Sequence, residues 1–244
     1  MKKIFKYIFA GMAAMSVVAC SEDALETSPS SSVSGNELLG TATNALVSLN
    51  GVYRAMYTAG VSNSSNTHQC FGITAYNLVA DVMGEDCIMN GQGSGWFWYD
   101  CVYNVKSRYT STGWRSYDMW NGYYTWISNV NYILAEEETM SGSETEKNYV
   151  LGQAYAVRAY SYFMLAQMFS RTYKGHESEP CVPLYTEPTD IATEGKGRAT
   201  VEEVYQQITS DLDKAITMLG NSGKRKHICL LYTSPSPRDI SGSR

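Results

Sequence analysis

From residue 44 onward the chain places apolar side chains every three or four positions, with polar residues between them. That spacing predicts helices, because positions i, i+3, i+4 and i+7 share one face of a helix with 3.6 residues per turn. Asn44–Tyr57 puts Leu46, Leu49, Tyr53, Met56 and Tyr57 on one face. Phe71–Val82 is apolar enough for a second helix ending near Gly84. Residues 88–112 lose the period and hold Gly91, Gly93 and Gly95, which predicts loop or short strand. Trp114–Glu138 carries Tyr117, Trp120, Tyr124, Ile127, Val130 and Leu134 at helical spacing, and Met140–Ser143 breaks it. Glu144–Arg171 follows, with Leu151, Ala154, Val157, Tyr160 and Met164 on one side and Gly175 as the stop. A loop punctuated by Pro180, Pro183 and Pro188 leads to Thr200 and Glu203. This pair has capping-box spacing, in which each side chain satisfies an orphan backbone N–H at a helix start. Val204, Ile208, Leu212, Ala215 and Leu219 line the helix that follows. The expected fold is all-α, built from helical hairpins with irregular loops.

Two long helices joined by a short break form an αα-hairpin. Small Ala154, Ala156 and Ala159 among large residues let neighbouring helices approach closely. The pair resembles a tetratricopeptide hairpin, although Ala159 and Phe163 parallel the repeat signature only loosely.

The two ends read differently from the body. Lys2, Lys3 and Lys6 precede an apolar stretch, Tyr7–Val18. It is shorter than the roughly 20 residues a spanning helix needs and fits a secretion signal. Val17-Val18-Ala19-Cys20 resembles the lipobox cut by the lipoprotein signal peptidase. That resemblance implies an acylated Cys20 as first residue, since several acyl chains together hold a protein on a membrane. Ser21, rather than Asp, after the Cys resembles lipoproteins that leave the inner membrane. Glu22-Asp23 resembles a surface-export signal. Thr27–Ser34 is a Ser/Pro-rich run that reads as a flexible tether. At the other end, Cys229-Leu230-Leu231-Tyr232-Thr233-Ser234-Pro235-Ser236-Pro237-Arg238-Asp239 is similar to a translated sequencing adapter, which implies a tail that is no part of the folded body. The expected division is 1–19 signal, 20–36 lipidated tether, 37–223 helical domain and 224–244 tail.

The division changes the charge. The full 244 residues hold 19 basic and 24 acidic side chains, net −5. Removing the three leading lysines, five tail cations and Asp239 leaves 11 basic against 23 acidic, net −12. Such a body suits no nucleic-acid partner, because that binding relies on cations against phosphates. Of six cysteines, Cys70, Cys87, Cys101 and Cys181 remain in the body. None has Cys-x-x-Cys spacing, so no zinc site is expected. About 200 residues can bury a core without staples, which leaves free thiols and disulfides both open.

Four stretches together resemble the N-terminal half of the SusD/RagB family, over roughly residues 20–220. They are Cys20–Pro29, Asn50–Met56, Gln153–Phe163 with its Arg158-Ala159 and Tyr162-Phe163 pairs, and Gly197–Tyr205 continuing through Asp211–Ile216. The resemblance implies a helical body with tetratricopeptide-like repeats. It also implies a surface-exposed outer-membrane lipoprotein, membrane-held through Cys20, that binds a nutrient, usually a glycan. Its implied partner is a SusC-type TonB-dependent transporter. The family's C-terminal half has no counterpart in the chain.

The strongest ligand candidates lie in Gly95-Trp96-Phe97-Trp98-Tyr99. Sugar rings present C–H faces that stack on aromatic planes, and Trp offers the largest. Trp96, Trp98 and Tyr99 would stack, while Asp81, Asp86 and Asn90 would bond hydroxyls. The alternative puts Trp96 and Trp98 on one face of a short strand packed against the helices; at least one of them is expected to pack. Catalysis finds little support. His68 and His176 sit in no nucleophile or metal motif. Glu136-Glu137-Glu138 and Glu202-Glu203 fall at helix ends, where charge is normally solvated or complements the dipole. No cofactor is expected. The competing readings are a helical-repeat scaffold or adhesion lipoprotein without a small ligand, and a surface glycosidase.

Overall fold

A computed structural model describes residues 39–62, 65–85, 87–103 and 113–221. Cys20, the tether to residue 36, Asp86 and the 224–244 tail lie outside the described residues. The described helices are α1 (Ala42–Ala55), α2 (Ile73–Met83), α3 (Trp98–Cys101), α4 (Trp114–Ala135), α5 (Glu144–Phe169) and α6 (Val201–Asn221). No strand occurs among the described residues, so the fold is all-α. None of these helices is long and apolar enough to cross a membrane.

The centre of the fold is α5. It is buried on nearly every side, from Val150 through Ala166, as a helix is when neighbours cover it all round. Its main partners are α4 before it and α6 after it, giving two successive antiparallel hairpins. Ser143 starts α5 with a capping box: its hydroxyl accepts from the Glu146 N–H at 3.3 Å, and Glu146 Oε2 accepts from the Ser143 N–H at 3.1 Å. The Thr200–Glu203 box expected from sequence opens α6 in the same way, with bonds of 2.7 and 3.2 Å. Gly152 sets the α5–α6 spacing. A Cβ there would lie 2.7 Å from Leu219 Cγ, so only a bare backbone admits that approach.

Packing corrects three readings of the pattern. On α1 the buried face is Ala42, Ala45, Leu49, Val52 and then Met56, while Tyr57 is 59% exposed beyond the helix end. The small alanines face inward because the helix start is tied to the α4–α5 turn, through Ala42 N–H to Ser141 O at 2.8 Å and Ser141 N–H to Gly40 O at 2.9 Å. On α4, Tyr117 is exposed, while Met119, Tyr123, Trp126 and Ile133 are buried. This helix is covered from two sides: α5 packs on one, and α1 with Tyr76 of α2 on the other. No single stripe could therefore describe it. Finally, Gly95–Tyr99 is no strand. Phe97 sits at φ 57°, in the left-handed region, and turns the chain into the single helical turn of α3.

A buried polar network crosses the centre. Arg158 on α5 donates from Nε and Nη2 to the two carboxylate oxygens of Asp211 on α6, each at 2.8 Å. Its Nη1 donates to Asn131 Oδ1 on α4 at 2.9 Å and to the Thr186 carbonyl at 3.1 Å. Asn131 Nδ2 in turn donates to the carbonyls of Tyr185 and Glu187. The network thus fixes three helices and the Pro-rich segment against them. That segment's two ends are joined by Cys181 N–H to Ala199 O at 2.7 Å.

Candidate functional site

Trp96 stands on a braced loop. The residue is 51% exposed, and its indole lies beside the His68 ring, with centroids 5.3 Å apart and planes inclined at 39°. The next residue, Phe97, is buried and meets Phe71 edge-on. Gln69 clamps both sides of the pair: its Oε1 accepts from the Phe97 N–H at 2.8 Å, and its Nε2 is 3.1 Å from His68 Nε2. Beneath lies Arg115, on the first turn of α4. It donates to the Gln69 carbonyl at 2.8 Å and to Asp100 Oδ2 of α3 at 3.0 Å, and its guanidinium covers the Phe97 ring. The Arg115 and Asp100 side chains are 4% and 6% exposed. Removing either partner of such a pair strands a buried charge. The ion pair therefore fixes the 95–101 loop to α4.

Behind Arg115 lies a second buried carboxyl, that of Asp118. Burial pushes the Asp118 carboxyl up from its ordinary range, against the opposing hydrogen bonds of Ser62 and Cys70 and the nearby Arg115. Burial also pushes the Cys70 thiol up, to about 12, with Asp118 adding to the effect. Ser62 donates to Asp118 Oδ1, and Tyr76 donates to the Asp118 carbonyl at 3.0 Å. This cluster supports the base of the loop and offers no activated thiolate.

The predicted site residues spread over this region unequally. Trp96 and Tyr99 are exposed, whereas Trp98 is half-buried at the start of α3. One tryptophan projects and the other partly packs, on a helical turn rather than a strand. Asp81 is exposed on α2 and Asn90 is exposed in the loop before Trp96. Among the described residues, no hydrogen bond joins Asp81 or Asn90 to Trp96, Trp98 or Tyr99. Cys20 and Asp86 lie outside the described residues. Sequence reasoning missed His68, Gln69, Arg115 and Asp100. The one available signal was Arg115 at the start of an apolar-patterned helix and Asp100 directly after the 96–99 aromatic run. The Glu136–Glu138 expectation also changes in part: Glu137 accepts from the Tyr155 hydroxyl at 2.6 Å. All four described cysteines are free. Among the described residues no group of three or more His, Cys, Asp or Glu could hold a metal. Chemically, the arrangement presents one large aromatic ring beside an imidazole, on a loop braced from below. That suits stacking on the apolar face of a ring-shaped ligand.

A family model described as starch-binding and associating with the outer membrane, SusD-like, matches residues 81–235. The chain belongs to the SusD-like family. Solved SusD-like structures agree. A SusD-like carbohydrate-binding protein from Bacteroides vulgatus is 28% identical, with a TM-score of 0.63, over 73% of this chain and 36% of its own. A second Bacteroides vulgatus protein, described as sugar-binding, is 24% identical with a TM-score of 0.57, over 74% and 38%. A SusD superfamily protein from Bacteroides thetaiotaomicron is 22% identical with a TM-score of 0.52, over 73% and 37%. The last two speak for the fold alone. This SusD-like chain spans little more than a third of the length of these relatives. No curated protein matches it.

Proposed function

We propose that this chain is a carbohydrate-binding lipoprotein of the outer membrane, which captures a glycan at the cell surface and passes it to a SusC-type TonB-dependent transporter. The observation that carries the binding reading is the exposed Trp96 indole on its braced loop. A rigid aromatic face loses little conformational freedom on binding, so more of the stacking energy survives as affinity. The family membership and the carbohydrate-binding description of the 28% identical relative point the same way. Membrane attachment rests on the lipobox-like Val17–Cys20 and the polar tether behind it. The proposed boundaries stay at 1–19, 20–36, 37–223 and 224–244. The role is binding without turnover: the loop presents stacking and hydrogen-bonding groups, and Asp100, its buried carboxylate, is committed to Arg115.

Isothermal titration against a panel of soluble oligosaccharides tests this. The wild type should bind at least one, and Trp96→Ala should weaken that binding about tenfold, equivalent to roughly 1.4 kcal/mol. A wild type that binds none, or a variant that binds every sugar equally well, would overturn the reading.

A further inference from the structure

A second place in the molecule has the chemistry of a sugar site, and no site residue read from the sequence lies in it. Between the middle of α4 and the Pro-rich segment runs a cleft of about 330 Å³, at the low end of the range for small-ligand sites. Its apolar wall is aromatic. Trp120 and Tyr124 stand with ring centroids 4.9 Å apart and planes inclined at 44°, and Tyr185 meets Tyr124 nearly at a right angle, 6.1 Å away. Hydroxyl and carboxylate groups complete the lining: Ser128 on α4, one turn beyond Tyr124, and Thr189, Asp190 and Thr193 on the Pro-rich segment.

The walls are fixed in advance. The Tyr124 hydroxyl donates to the Pro183 carbonyl at 2.7 Å, and the Tyr132 hydroxyl donates to the Thr189 carbonyl at 2.7 Å. Asn131 holds the carbonyls of Tyr185 and Glu187, and the Lys196 N–H donates to the Tyr185 hydroxyl at 2.9 Å. Asp190 Oδ1 accepts from the Ala192 N–H and the Thr193 hydroxyl, both at 2.9 Å, which closes the far turn. A preorganised cleft binds without the cost of ordering its own loops.

The lining selects a class of ligand. The lining contains one carboxylate and no cation, and the neighbouring Lys196 ammonium lies over the Tyr185 ring, 5.3 Å from its centroid, so an anionic ligand gains no cation from the lining itself and meets the Asp190 carboxylate. Ser128 Oγ lies 3.4 Å from Thr189 Oγ1, and Asp190 Oδ1 already holds the Ala192 N–H and the Thr193 hydroxyl, so a guest's hydroxyls would meet oxygens with spare acceptor capacity. A neutral sugar ring suits both parts of the lining, with C–H faces on the aromatic rings and hydroxyls toward Ser128, Thr189 and Asp190.

We infer that this cleft is a second saccharide subsite, separate from the Trp96 loop, that takes one or two neutral sugar rings. The inference rests on the carbohydrate-binding reading but names different residues, so the two can fail separately. The protein has five tryptophans, which allows a site-resolved test. Labelled with 5-fluorotryptophan and assigned by single Trp→Phe variants, it is titrated by ¹⁹F NMR with maltose, cellobiose, lactose and mannobiose. The expected result is that at least one sugar moves the Trp120 resonance with its own saturation curve, while buried Trp126 stays still. Asp190→Ala and Ser128→Ala should each weaken the Trp120 response at least fivefold and leave the Trp96 response unchanged. Movement of Trp96 alone would overturn the cleft inference and leave the carbohydrate reading standing. Movement of Trp120 alone would support the cleft and remove the Trp96 loop from the account. A uniform shift that includes Trp126 would report a global change and overturn the cleft, and no movement with any sugar would overturn both.

Discussion

The Arg158–Asp211 pair gives the sharpest test of how the fold is held. Both side chains are buried, at 5% and 1% exposure, and share two bonds of 2.8 Å. Asp211→Ala leaves the guanidinium with Asn131 and Thr186 but without its counter-charge. Removing one member of a buried pair costs about 3–5 kcal/mol, because the remaining charge stays desolvated. A domain's whole stability is about 5–15 kcal/mol, so the variant should be near its limit. With a urea dependence of about 2 kcal/mol per molar, the midpoint should fall by roughly 1.5–2.5 M, followed by circular dichroism at 222 nm. Arg158→Met should do the same. The double variant Arg158→Met, Asp211→Leu should recover much of the loss, with a coupling of about 2 kcal/mol. The pair would be shown to be peripheral if Asp211→Ala cost less than about 1 kcal/mol, or if the two single losses simply added.

Three further outcomes follow from local geometry. Thr200→Ala removes the hydroxyl that accepts from the Glu203 N–H and should cost about 1 kcal/mol, read as a urea-midpoint shift; no shift would show that the box does not hold α6. Asp118 keeps its proton more tightly folded than unfolded, so its contribution is complete below the ordinary carboxylate value near 3.8 and is lost as pH rises through the raised value. Asp118→Asn cannot ionise, and its melting temperature should exceed the wild type's at pH 8 by a margin that shrinks toward pH 4; a margin constant across that range contradicts the assignment. Cys87 is exposed while Cys70 and Cys181 are buried with thiols pushed up. Peptide mapping after iodoacetamide should therefore find Cys87 alkylated in the native protein and Cys70 and Cys181 only after unfolding.

The sequence disclosed the helices well where one force dominated. The Thr200–Glu203 box and the single stripe of α6 are local signals, and both stand as read. The Met140–Ser143 break also falls where the periodicity ends, since Ser143 caps α5. Facing was harder. The inward alanines of α1 and the double-sided burial of α4 depend on which helices lie alongside, and hydrophobic period carries no such record. The Trp96 loop was visible as a cluster of aromatics between glycines, but its brace was not. Gln69, Asp100 and Arg115 come from three separate segments and meet only after folding. The cleft is still less legible, because Trp120 and Tyr185 are far apart in sequence and each reads alone as an ordinary core aromatic.

The central claim is that a SusD-like chain binds carbohydrate through the exposed Trp96 face. Affinity electrophoresis tests it most directly, with wild type and Trp96→Ala run side by side in native gels containing starch and, separately, other soluble polysaccharides. The account predicts that at least one polysaccharide retards the wild type and that Trp96→Ala moves markedly faster in that gel. Equal mobility of the two proteins in every polysaccharide gel would contradict it.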